Sequence, residues 1–170
     1  MKMLYRRKII LAILQAWGKE LPLTDFQKIL FLFTQKQEQP SFNFVPYKFG
    51  CFSFISYVDK RTMASDGLID NSEEKWKKNT KEDYLGLIKN EDKDKLLELY
   101  NEIKNLSGDD LVRYVYKQYP YYAIKSEIVN RVLTSADKKE VDIARDSIVN
   151  KKVRRLFTIG YEGKDLDEYL

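Results

Sequence analysis

The run Phe26-Gln27-Lys28-Ile29-Leu30-Phe31-Leu32-Phe33 constrains the fold more than any other segment. Phe26, Ile29, Leu30 and Phe33 fall at helical spacings of three and four, and Ile29 to Phe33 leave almost no polar side. A helix that is apolar nearly all round cannot lie on a surface; it needs neighbours on more than one side. Thr24 and Gln27 match the capping-box pattern, and Asp25 adds negative charge at the positive end of the helix dipole. The helix is therefore predicted to start at Thr24.

Candidate neighbours flank it. Ile9, Ile10, Ile13, Leu14 and Trp17 recur at helical spacing, which predicts a helix over 4–17 stopped by Gly18. Eight of the nine phenylalanines lie between Phe26 and Phe54, and most are expected in the core of a small unit. Around Phe42 and Phe44 the period changes to two, with Pro46 and Gly50 as punctuation, so a short strand and a turn are expected. Ser53 is a good N-cap for a helix over 53–66, stopped by Gly67. Leu68 and Ile69, the turn formers Asp70 to Ser72, and Trp76 then read as two strands about a polar turn, the last helix and wing of a winged helix.

The second half reads as helical. Leu96, Leu99, Tyr100, Ile103 and Leu106 share one face of a helix over 91–106, and Asp109 or Asp110 begins the next. Pro120 precedes another helix holding Ile124, Ile128 and Val132, and Ser135 is expected to cap a last one. The predicted fold is mainly α: a winged-helix-like unit with a small β hairpin over 1–80, and a helical extension packed on it over 81–150. Residues 151–170 read as a basic linker and the opening strand and half-helix of a second domain.

Composition removes most chemistry. The 170 residues contain one cysteine, Cys51, and no histidine, which excludes an internal disulfide, a His-dependent triad and Cys/His zinc sites. The acidic pairs Asp92/Asp94, Asp109/Asp110 and Asp137/Glu140 each lie at an expected helix N-terminus, where carboxylates are stabilising without a metal. No enzyme activity, metal or cofactor is expected. The apolar run Ile9 to Trp17 is too short for a membrane span and lacks a cleavage site, so no membrane is expected and the cytoplasm is the expected compartment.

The net charge of +4 is unevenly spread. Residues 1–80 hold 13 basic and 8 acidic side chains, whereas residues 81–150 hold 12 and 14. An excess in the first half suits a module facing double-stranded DNA, or a merely solvated basic face. On the DNA reading the helix over 53–66 is the recognition helix, with Ser53, Ser56, Lys60 and Arg61 as its polar positions, and the wing carries Lys75, Lys77 and Lys78. Asp59 and Asp66 oppose that reading. Tyr114, Tyr121 and Tyr122 belong to the densest tyrosine cluster and are the candidate contacts for a protein partner or a homodimer.

Two resemblances bear on this. Thr158-Ile159-Gly160-Tyr161-Glu162-Gly163, within 156–170, resembles the opening of the domain-of-unknown-function family 488; no activity follows from it. The region 6–69 resembles the helical module that sometimes precedes that domain and is similar to Panacea (SocA-like) antitoxin domains. The matching features are the QKILFLF helix at 27–33, the VPYKFGCFS stretch at 45–53, and a helix ending in Gly67-Leu68-Ile69, with SGDDLVRYVYKQYP at 107–120 in the place of the following helix. The resemblance implies a winged-helix-like or small helical adaptor with no catalytic residues. It supports protein binding as readily as DNA binding. The leading expectation is a nucleic-acid-binding module, the alternative a protein-interaction module.

Overall fold

The structure is a computed structural model and describes residues 3–149. It is mainly α, with seven helices and two small antiparallel strand pairs among those residues. Helix α1, Tyr5–Trp17, buries every residue from Ile9 to Leu14 together with Trp17. Gly18 ends it in the left-handed region (φ 62°), its N–H reaching the Leu14 and Gln15 carbonyls at 3.1 Å.

Strand β1, Leu21–Pro22, leads directly into α2, Leu23–Lys36. The predicted capping box does not form. Pro22 occupies the N-cap position, the helix starts at Leu23, and no side chain caps it. From Asp25 to Thr34 every residue of α2 is buried, as a helix without a polar side requires. Helices α1, α4 (Asn90–Ile103) and α5 (Gly108–Gln118) pack around it.

The aromatic stretch forms a hairpin. Strands β2, Val45–Tyr47, and β3, Gly50–Phe52, pair Val45 with Phe52, Pro46 with Cys51 and Tyr47 with Gly50. Gly50 has φ 93°, and a Cβ there would come within 2.5 Å of Cε1 of the buried Tyr116 ring. Helix α3, Phe54–Ser65, follows at once. Leu68 to Asp70 then run antiparallel to Lys77 to Asn79, with Asp70 N–H on the Lys77 carbonyl and Asn79 N–H on the Leu68 carbonyl, both at 2.9 Å. Strand β4, Lys75–Trp76, pairs with β1, which puts the Trp76 ring 4.0 Å from that of Phe26 in a stack.

After α5 the chain makes a 3-10 turn, Pro120–Ala123, a four-residue helix α6, Val129–Val132, and α7, Ser135–Val149. The helix expected beyond Pro120 thus shrinks to these two short pieces. Thr134, one residue before the expected cap, holds the first turn of α7: its hydroxyl accepts the Asp137 N–H at 3.2 Å. One hydrophobic cluster runs from Ile9 to Val141 and crosses the sequence boundary at residue 80. Trp17 meets Tyr100 edge-on at 5.2 Å, and Phe31 meets Tyr119 and Tyr122 at 5.0 and 4.5 Å. No helix among the described residues is long and apolar enough to cross a membrane. The expected linker and second-domain start at 151–170 lie outside the described residues.

Two glycines separate torsion from crowding. Gly18 has open space at its Cβ position, so Gly18→Ala should cost only the left-handed backbone, about 1–2 kcal/mol. Gly50→Ala adds the collision with Tyr116 and should cost about 2–4 kcal/mol, read from urea midpoints of both variants.

Candidate interaction surface

One face of α3, together with its N-cap, carries polar residues that point inward, while Arg61 and Ser65 are exposed. Ser53, Ser56, Asp59, Lys60 and Met63 recur at spacings of three and four, and all are buried. Gln27 of α2 accepts the Ser53 N–H through Oε1 at 3.0 Å and donates from Nε2 to Ser56 Oγ at 2.7 Å. Ser56 Oγ in turn donates to the Ser53 carbonyl at 2.7 Å. Asp59 is fully buried and takes Arg6 through Nε at 2.6 Å and Nη2 at 3.2 Å, and Arg7 through Nε at 2.7 Å. Lys60 is 7% exposed, donates to the Ser72 carbonyl at 2.6 Å, and lies 5.0 Å above the Trp76 ring; burial lowers its pKa.

This corrects the recognition-helix expectation. Ser53, Ser56 and Lys60 are buried and present nothing to a DNA groove, Ser56 and Lys60 hydrogen-bonded and the Ser53 hydroxyl without a partner; of the four polar positions only Arg61 is on the outside. Asp59, which would have repelled phosphate, is internal. On the expected wing, Lys75 pairs with Glu20 at 2.8 Å. Lys78 is half-buried and donates to the Glu82 carbonyl at 2.8 Å and to Gln15 Oε1 at 3.3 Å. Lys77 is exposed.

The three candidate tyrosines differ in the same way. Tyr114 is half-buried and its hydroxyl donates to Glu102. Tyr122 is half-buried against Phe31. Only Tyr121, 46% exposed, offers an open ring. At least one carboxylate of each acidic pair is engaged: Asp92 accepts from the Tyr5 hydroxyl at 2.6 Å, Asp109 pairs with Arg131 at 2.7 Å, and Asp137 with Lys117 at 3.2 Å. No group of three metal-ligating side chains occurs among the described residues.

With Ser56, Asp59 and Lys60 turned in, the outer side of α3 shows apolar residues along with Arg61 and Ser65. Phe54 is 59% exposed and Val58, one turn on, is 46% exposed, with Ile55 beside them. The hairpin continues this surface through Val45, Tyr47 and Phe49, the last 50% exposed. The rings are in contact: Tyr47 with Phe52 at 5.1 Å and with Phe54 at 5.6 Å, and Phe52 with Phe54 at 4.8 Å. The sequence reading missed Phe49, Phe54 and Val58 because it assigned the aromatic segment to the core. The available signal was a surplus: eight phenylalanines in so short a stretch exceed what one small unit can enclose.

Between the hairpin and α2 a cavity of about 210 Å³ opens beside this surface, walled by Leu23, Tyr47, Phe49, Phe52 and Tyr57. Lys28 lines it from the buried side. Its Nζ donates to the Phe49 carbonyl at 2.5 Å and the Cys51 carbonyl at 3.4 Å. Burial lowers the pKa of Lys28, with Cys51 and Asp25 opposing. Burial pushes the Cys51 thiol from 9.0 up to about 11, with Lys28 opposing. Compared with protein-family models, curated proteins and solved structures, the chain matches none.

The thiol gives a pH signature. Folded Cys51 keeps its proton to higher pH than the unfolded chain, so its contribution is intact below about pH 9 and is lost as pH rises through about 11. Across that window the urea midpoint of the wild type should fall more than that of Cys51→Ala. Parallel curves would show that the thiol does not titrate differently in the two states.

Proposed function

We propose that this chain is a protein-interaction module that docks a partner through the outer face of α3 and the β2–β3 hairpin. One observation carries the reading: α3 turns Ser56, Asp59 and Lys60 into the protein and Phe54, Ile55 and Val58 out of it. A continuous apolar and aromatic patch on a folded surface marks contact with another macromolecule, and aromatic side chains are enriched at such contacts. A DNA reader needs cations on the exposed side of its recognition helix, and on α3 only Arg61 supplies one. The reading agrees with the adaptor role implied by the likeness of 27–33 and 45–53 to Panacea domains.

Nucleic-acid binding is kept as the second reading on a different observation. Its support is the return of β4 to β1 after α3, together with the exposed Lys77 just past β4.

Two double variants of the full chain decide between them. Phe54→Ser/Val58→Asp replaces exposed residues and should leave the urea midpoint within about 0.5 kcal/mol of wild type. Proteins captured by the wild-type chain should be lost about tenfold or more with this variant and retained with Arg61→Glu/Lys77→Glu. The opposite pattern, together with salt-sensitive binding of labelled duplex DNA that Arg61→Glu/Lys77→Glu abolishes, would establish the nucleic-acid reading instead.

A further inference from the structure

The cavity between the hairpin and α2 has a charge that its shape does not explain. Its walls are aromatic and aliphatic, yet both charged residues lining it are lysines: Lys28, 1% exposed, and Lys48, exposed at the hairpin turn. No carboxylate among the described residues lines it. Asp25, one turn before Lys28, is turned away, both its oxygens accepting the Gly108 N–H at 3.1 and 3.2 Å. The Lys28 ammonium is held by backbone carbonyls, whose dipoles solvate it without cancelling its charge. No carboxylate pairs with Lys28 directly, and Asp25 offsets its charge only at longer range; a buried cation placed so attracts an incoming anion more strongly than a surface lysine does, because little water screens it.

We propose that this cavity receives an acidic anchor of the partner protein: an aromatic or aliphatic side chain with an aspartate or glutamate beside it. The apolar part fills the space between Tyr47, Phe49 and Tyr57, and the carboxylate sits between Lys48 and the positive field of Lys28. A volume of about 210 Å³ suits one large side chain and excludes a folded element. The cavity is continuous with the docking patch through Tyr47, Phe49 and Phe52, so one segment can engage both. This inference rests on the protein-docking reading above and specifies the partner's chemistry at one point of that surface.

The test uses three small probes on the full ¹⁵N-labelled chain: 3-phenylpropionate, its neutral amide, and 3-phenylpropylamine. Backbone amide shifts of Thr24, Lys48, Gly50 and Cys51 report the cavity, and those of Ile55 and Val58 report the outer face. The acid is expected to move the cavity amides with at least about fivefold tighter binding than the amide, and the amine is expected to bind weakest. Lys48→Glu, at an exposed site, should weaken the acid about two- to fivefold and leave the amide unchanged. Lys28→Met should remove the preference for the acid; if that variant does not fold, the Lys48→Glu comparison decides alone. Equal shifts from acid and amide would overturn the acidic anchor and leave the docking face standing. Shifts confined to Ile55 and Val58 would overturn the cavity as a site, again without touching the docking reading. A full chain that sediments as a dimer, and as a monomer after Phe49→Ser, would make a second copy the occupant and overturn the assignment of a separate partner.

Discussion

The structure depends on one constraint: α2 is enclosed on every side while carrying polar side chains. Asp25, Gln27, Lys28 and Thr34 are all buried, and a buried polar group without a partner costs about 1–3 kcal/mol. Each partner therefore fixes a neighbouring element. Asp25 takes the first N–H of α5, Gln27 takes the first residues of α3, and Lys28 takes the carbonyls of the hairpin. Thr34 closes on its own helix through the Leu30 carbonyl at 2.7 Å. The apolar residues of α2 drive the packing, and its polar residues decide the register of what packs.

The same logic explains why the outer surface is apolar. Along α3, small or well-partnered polar residues lie on the inner face, because that is where Gln27, Arg6, Arg7 and the Ser72 carbonyl can satisfy them. Asp59 is acceptable in the interior because two guanidiniums reach it; losing them would strand a buried charge, a change worth about 3–5 kcal/mol. The exposed side then carries Phe54, Ile55 and Val58 beside Arg61, and the proposed docking surface is the complement of the internal polar network.

Much of the architecture is legible in the sequence, for identifiable reasons. Helix α1, its Gly18 terminus, the central place of α2 and the inward face of α4 all rest on long apolar periodicities, which are local and redundant. What fails is the assignment of polar residues to solvent. Gln27 sits three residues after Thr24 and mimics a capping box, yet its amide serves a helix 26 residues further on. Ser53, Ser56 and Lys60 form a regular stripe, and periodicity alone cannot say whether such a stripe faces water or a buried partner. Lys28 was the clue within reach: a lysine inside an otherwise apolar helix, where there is no surface for it to occupy.

The helices α3 and α5 have no side-chain cap of their own; α2 supplies the group that meets each first turn. Neither is a self-contained unit, since detaching either one strands a buried polar group on α2 as well as its own terminal amide. Partial unfolding that frees only α3 is thereby penalised, and its outer surface shares the cooperativity of the core. A partner docking as proposed would meet a preorganised face with little left to order on contact, in a rigid-body encounter whose specificity is set by shape and not by folding on arrival.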